Sequence, residues 1–133
     1  MNNTPNIQNA FFKPDETALA ERFLENGYVI LPVEDKAALE KIKSALGAVI
    51  SKNLGVSQPG DVAALLDNIA DHVSVDDLNE LRLGVIAGLN SLSWLRAEYF
   101  NLVRSTLQNL VGNELAMQRR INLSIQLPHD DSS

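Results

Sequence analysis

The chain contains no cysteine. This excludes disulfides, thiolate nucleophiles and zinc or iron–sulfur sites that are held by cysteine. Aromatic residues make up only 5% of the 133 residues, whereas apolar residues as a whole make up 45%. A core of this composition has to be built from Leu, Ile, Val and Ala. That composition favours packed helices over a sheet.

Basic residues are also few: 11 Lys and Arg stand against 17 Asp and Glu, for a formal net charge of −6. Such a surface repels nucleic-acid phosphates and anionic lipid, so we expect neither as a partner. No apolar run approaches the length of a transmembrane helix, and the Asn-rich residues 1–10 do not resemble a signal peptide. We therefore expect a cytoplasmic protein.

The motifs of several enzyme classes are missing. There is no Gly-x-Ser-x-Gly nucleophile elbow and no Gly-Lys-Ser/Thr of a phosphate-binding loop. Gly84 and Gly88 are spaced one turn apart within an apolar helical pattern, where each costs the helix about 1 kcal/mol relative to Ala. We expect close packing against a neighbouring helix to compensate for this cost.

Apolar residues at helical spacing dominate the chain. Behind a polar tail at 1–13, residues 14–133 are predicted to form a single helical domain. The first helix is expected to bury Leu19, Phe23 and Leu24. Helices are predicted from Pro14 to Gly27, over about 35–53, after Pro59, after a Ser74–Asp77 cap, and over about 92–111 up to Gly112.

Two segments depart from the helical pattern. Residues 28–31 are wholly apolar and end at Pro32, which predicts a short buried strand. From Met117 to Leu127 apolar and polar residues alternate, as is typical of a strand with one buried face. A long strand with so little to pair with indicates an interrupted sequence. The expected fold class is mainly α with a few β-strands, an α+β arrangement.

Two histidines are the candidates for metal chemistry. His72 ends the third predicted helix, where the helix dipole favours a cation, and its neighbours supply no metal ligands. His129 and Asp131 form a His-x-Asp pair, the first half of a two-histidine, one-carboxylate site for non-haem Fe(II). The third ligand would have to be His72, in reversed chain order. The preferred interpretation is therefore a solvated acidic end without a metal.

Two stretches resemble an enzyme family. Residues 23–32, Phe-Leu-Glu-Asn-Gly-Tyr-Val-Ile-Leu-Pro, are similar to the opening of phytanoyl-CoA dioxygenase-like Fe(II)/2-oxoglutarate oxygenases, where a helix leads through an Asn-Gly-Tyr turn into the first strand. Residues 119–128, followed by Asp-Asp-Ser-Ser at 130–133, resemble the strand and loop before the catalytic core. The likeness is greatest to members from bacterial surface-carbohydrate gene clusters.

The resemblance implies the helical N-terminal portion of a double-stranded β-helix oxygenase that lacks the β-helix core. Fe(II) and 2-oxoglutarate would belong to a full-length parent, whose substrate is expected to be a carbohydrate-related small molecule. In the register of the resemblance, the family's His-x-Asp lies beyond Ser133, which makes His129 a loop residue. Gln126, on the polar face of the last segment, is expected to face the cofactor site of the complete protein.

The sequence thus favours a truncated segment of such an oxygenase, non-catalytic by itself. The alternative is a self-contained helical module for protein interaction or oligomerisation, without enzymatic activity, that pairs through residues 117–127 with a second copy or another partner. A stand-alone metalloenzyme using His72, His129 and Asp131 ranks third.

Overall fold

A computed structural model of the chain describes residues 13–57, 60–112 and 115–127. These residues form helices joined by irregular segments and contain no strand, so the expected α+β class is wrong and the described fold is all-α. A single 3₁₀ turn, Ile69–Asp71, follows the third helix. The α-helices in chain order are α1 Pro14–Asn26, α2 Lys36–Leu54, α3 Val62–Asp67, α4 Leu78–Asn90, α5 Leu95–Asn101 and α6 Arg104–Val111.

The ends of α1 and α2 follow from local sequence. At the start of α2 the carboxylate of Asp35 accepts the backbone N–H of Ala38 at 2.9 Å, which satisfies one of the unpaired donors of the first turn. The two helices end at Gly27 and Gly55, whose φ angles of 76° and 69° lie in the left-handed region. Glycine adopts this conformation without the steric cost that a Cβ brings.

The described chain divides into two compact units, each built from two separate stretches. The first unit takes its described residues from 13–34 and 103–116, and in it α1 packs against α6. The second unit takes them from 35–102 and 117–127, and in it α2 packs against α3, α4 and α5.

The hydrophobic core of the second unit is centred on α4. Val85 of α4 and Ile50 of α2 are almost fully buried, with 0% and 1% of their surface exposed. Apolar residues from every element of this unit complete the cluster: Leu65, Ile69, Leu78, Leu81, Leu89, Leu95, Ile125 and Leu127.

The glycines of α4 allow α2 to approach closely, as predicted. A Cβ placed on Gly88 would lie 2.6 Å from Cγ1 of Val49, and a Cβ on Gly84 would collide with the side-chain oxygen of Asn53. Real Cβ atoms do not tolerate such distances, so the side chains of Val49 and Asn53 on α2 pack directly against the α4 backbone at the two glycines. Packing therefore explains both glycines.

An ion pair links α2 to α5 at the surface of the second unit. Nζ of Lys41 lies 2.6 Å from Oε1 of Glu98 and 4.3 Å from the centre of the Trp94 ring. The hydrogen bond from Lys41 lowers the pKa of the Glu98 carboxyl. The three side chains thus form a cation–π and salt-bridge contact.

The predicted burial of α1 is wrong. No residue of α1 is buried, and 82% of the Leu24 surface and 38% of the Phe23 surface are exposed. The reason is that α1 packs within its unit on α6, a helix of 8 residues, which is too small to cover an apolar stripe.

The predicted strand at 28–31 is also absent. No backbone–backbone hydrogen bond between described residues reaches this segment, and Tyr28 and Ile30 are 63% and 80% exposed. A strand needs a neighbouring strand to hydrogen-bond with, and an apolar run supplies none by itself.

The single helix predicted over about 92–111 is divided into α5 and α6. Val103 leaves the helical region with φ −144°, and the carboxylate of Glu34 then caps α6. It accepts the backbone N–H groups of Ser105 at 2.9 Å and Thr106 at 2.8 Å, and the Thr106 hydroxyl at 2.8 Å. Burial acts to raise the pKa of Glu34, but these hydrogen bonds outweigh it and lower the pKa from 4.5 to about 2.

Candidate functional site

Residues 117–127, here called the final segment, do not form the predicted strand but lie along α4 and α5 within the second unit. Arg96 donates to the carbonyl of Met117 at 3.0 Å. The side-chain amide of Asn90 donates to the carbonyl of Ile121 at 2.8 Å and accepts its N–H at 2.9 Å. Nε of Arg82 donates to the carbonyl of Ile125 at 2.8 Å, and the terminal nitrogen of the same guanidinium donates to it as well.

These contacts place the final segment antiparallel to α4. From Ile121 to Ile125 an extended chain covers about 13 Å, and from Asn90 back to Arg82 a helix covers about 12 Å. The two lengths agree, so Ile121 lies beside Asn90 and Ile125 lies beside Arg82. The match indicates an extended chain from Ile121 to Ile125, after the bends at Arg119 and Arg120.

The side chains of the final segment alternate as the sequence predicts. Ile125 and Leu127 are 8% and 9% exposed and belong to the hydrophobic core. Ile121 and Leu123 are half-buried against the same core, whereas the residues between them face solvent. The prediction of one buried face is confirmed, but the surface that covers it is helical.

The backbone of the final segment has two unlike edges. In an extended chain the N–H and C=O of one residue point to one side, and those of the next residue point to the other. The groups bound by α4 and α5 belong to odd-numbered residues, so the groups of Asn122, Ser124 and Gln126 point away. Among the described residues these outward groups accept and donate no hydrogen bond. We call them the outer edge.

The residues that hold the final segment were not found from the sequence. Asn90 and its partner are 31 residues apart, and Arg82 and its partner are 43 residues apart. Both side chains border the apolar stripe of α4, and this position was the only local indication that they contact another segment. Arg82 contributes a charged donor, which strengthens its hydrogen bond to Ile125.

The structure describes two of the predicted site residues, Gln126 and His72. Gln126 is exposed on the final segment, and His129 and Asp131 lie outside the described residues. His72 is exposed after the 3₁₀ turn and lines two open surface pockets of about 450 and 300 Å³. Asp77 and Glu80 line the smaller pocket with it.

Within residues 13–57, 60–112 and 115–127, no group of three His, Asp or Glu side chains is placed to hold a metal ion. No helix in this part of the chain is both long and apolar enough to cross a membrane. The described residues therefore offer the outer edge as their most distinctive feature.

A scan against protein-family models finds no family that matches the chain, and searches of curated proteins and of solved structures return no match.

Proposed function

We propose that this chain is a non-catalytic helical module that presents the final segment as an edge for pairing with a β-strand. The observation that carries the proposal is the contrast between the two edges of that segment. One edge is bound by Asn90 at Ile121 and by Arg82 at Ile125, whereas the backbone groups of the outer edge belong to exposed residues and have no hydrogen-bond partner among the described residues.

Strand addition suits this arrangement for an energetic reason. A partner strand gains main-chain hydrogen bonds only after both chains have become extended, and the ordering of backbone costs about 1–2 kcal/mol per residue. In this chain the helices have already imposed the extended conformation. The free-energy cost of ordering the final segment is therefore already offset by folding, and only the incoming strand has still to be ordered.

Amide exchange tests the availability of the edge. In dilute solution we expect the N–H groups of Asn122, Ser124 and Gln126 to exchange rapidly with deuterium, and the N–H of Ile121, bound by Asn90, to exchange slowly. Slow exchange at all four amides of the monomer would show that the outer edge is already covered.

A probe peptide tests pairing itself. We choose a blocked, neutral heptapeptide of alternating Thr and Val, titrated into the labelled chain. It should slow exchange at the three outer amides and leave Ile121 unchanged. A Ser124→Pro variant, which lacks the central outward N–H, is the matched control and should lose the effect. Protection elsewhere, or none at saturating peptide, would contradict the proposal.

A second candidate function, the helical portion of an Fe(II)/2-oxoglutarate oxygenase, is favoured by the turn after α1. Gly27 ends that helix in the left-handed region and the chain continues without helix, as in the opening of that family. In such a parent the strand on the outer edge would come from the catalytic part. The described residues do not fit an iron site, so we derive no chemical step from them.

Sequencing the transcript around the codon for Ser133 tests the second candidate. A continuing frame with His-x-Asp, a later His and a basic residue would support it, and a frame that closes without them would reject it. For both candidates the proposed location remains the cytoplasm, and no nucleic acid or membrane is proposed as a partner.

A further inference from the structure

We infer that the strand that pairs with the outer edge is a second copy of the final segment, antiparallel and centred on Ser124. This inference rests on the proposed function and adds the partner. In an antiparallel ladder, residues that exchange both hydrogen bonds recur at every second position. The outward groups belong to even-numbered residues, so Ser124 would pair with Ser124 of the other copy, and Asn122 with Gln126.

The composition of the segment favours pairing. Natural edge strands are usually blunted by charged residues, proline or bulges, which prevent association. The stretch 121–127 reads Ile-Asn-Leu-Ser-Ile-Gln-Leu and contains no charge, proline or glycine. The exposed side chains of this stretch, Asn122, Ser124 and Gln126, are polar and uncharged. In the pair, the side-chain amides of Asn122 and Gln126 would lie opposite each other, within reach of a cross-strand hydrogen bond.

Charge selects a second copy in antiparallel orientation. The exposed Arg119 and Arg120 precede the stretch 121–127, and Asp130 and Asp131 follow it in the sequence, outside the described residues. Antiparallel pairing brings the beginning of one segment beside the end of the other, and the sequence has opposite charges at these two ends. A parallel pair would place like charges together. Pro128 has no N–H, which limits the ladder at that end.

The hydrophobic faces are compatible with such a pair. The odd-numbered side chains of both copies point to the same face of the two-stranded ribbon, and in each copy its own α4 covers them. An isolated pair of strands is marginal in water, but strands packed against helices are not isolated. Pairing through the outer edge therefore leaves the core contacts of the final segment in place.

Cysteine cross-linking tests the register, because the chain has no cysteine of its own. Cα atoms of a hydrogen-bonded pair are about 5.5 Å apart, within the range that a disulfide spans. Ser124→Cys should link to itself when diamide removes two electrons and two protons from the two thiols. Asn122→Cys alone should not link, but mixed with Gln126→Cys it should.

Sedimentation of the wild-type chain completes the test. We expect a concentration-dependent dimer that Ser124→Pro abolishes and Ser124→Ala retains. A dimer without the Ser124→Cys link, or equal self-linking by Asn122→Cys, would overturn the inference. A chain that stays monomeric would also overturn it. If the Thr–Val peptide still slows exchange at the outer amides of that monomer, the proposed function stands without self-pairing.

Discussion

The side-chain amide of Asn90 makes two hydrogen bonds with the backbone of Ile121: it donates to the carbonyl at 2.8 Å and accepts the N–H at 2.9 Å. A backbone residue of a neighbouring strand would offer the same donor and acceptor. At Ile121 the helix α4 thus supplies, with one side-chain amide, the donor and the acceptor that a neighbouring strand would supply.

Asn90→Ala should loosen the final segment. Both hydrogen bonds to Ile121 are lost, and half-buried backbone groups are left without a partner, which costs about 1–3 kcal/mol. Urea unfolding should show this loss, and the Ile121 N–H should exchange faster. Asn68→Ala is the control because that side-chain amide donates only to a carbonyl four residues earlier in the chain, that of Ala64 at 2.8 Å. Equal effects of the two substitutions would contradict the role given to Asn90.

Gly88→Ala and Gly84→Ala should differ, although both replace glycine in the same helix. The new methyl at Gly88 would meet the branched side chain of Val49 at 2.6 Å, and such overpacking typically costs about 1–3 kcal/mol. At Gly84 it would meet the end of the Asn53 side chain, which can rotate away. The gain of about 1 kcal/mol from helix propensity should then leave Gly84→Ala close to neutral. Thermal or urea unfolding distinguishes the two variants, and a Gly84→Ala that destabilises more than Gly88→Ala would disprove the ranking.

Glu34→Gln should destabilise the first unit at neutral pH by about 1 kcal/mol, the usual value of a helix cap. The folded-state pKa is lowered from 4.5 to about 2, so the carboxylate contributes fully above about pH 4.5 and loses its contribution as the pH falls through about 2. The difference between wild type and variant, measured by urea unfolding from pH 7 downward, should shrink over this range. Glu25→Gln, which removes the same charge at an exposed position of α1, is the matched control, and a Glu34→Gln difference that did not shrink would contradict the cap.

Lys41→Met should change the fluorescence of Trp94, the single tryptophan of the chain. The ammonium of Lys41 lies 4.3 Å from the centre of that ring, and its removal alters the field on the indole. Lys43→Met is the matched control, since Lys43 pairs with Glu40 at 3.1 Å. An emission spectrum that responds equally to both substitutions would rule out the Lys41–Trp94 contact in solution.

The sequence predicted those helices whose limits are set by neighbouring residues. Asp35, Gly27 and Gly55 each act on a helix end within a few residues, and the Gly84–Gly88 spacing indicated a close neighbour without naming it. The break between α5 and α6 could not be predicted because its cap, Glu34, lies 71 residues before Ser105.

The final segment shows why its predicted alternation of buried and exposed side chains was right and its predicted strand was wrong. A two-residue period reports that alternate side chains are buried, and Ile125 and Leu127 are buried. The period carries no information about what covers them, which is a helix surface here. The prediction for Leu24 failed for a related reason. The amphipathic spacing of α1 predicted that this side chain is buried, but spacing does not show whether a neighbouring surface is large enough to cover it.

The interleaving of the two units has a consequence for how the chain is made. The chain passes from the first unit into the second at about residue 35, returns at 103, and leaves again at 117. Glu34 therefore emerges from the ribosome well before the helix that it caps, and the first unit cannot close until α2 to α5 have been synthesised. A stop codon after Leu102 would remove α6 from one unit and the final segment from the other. Neither unit can be obtained whole by shortening the gene from one end.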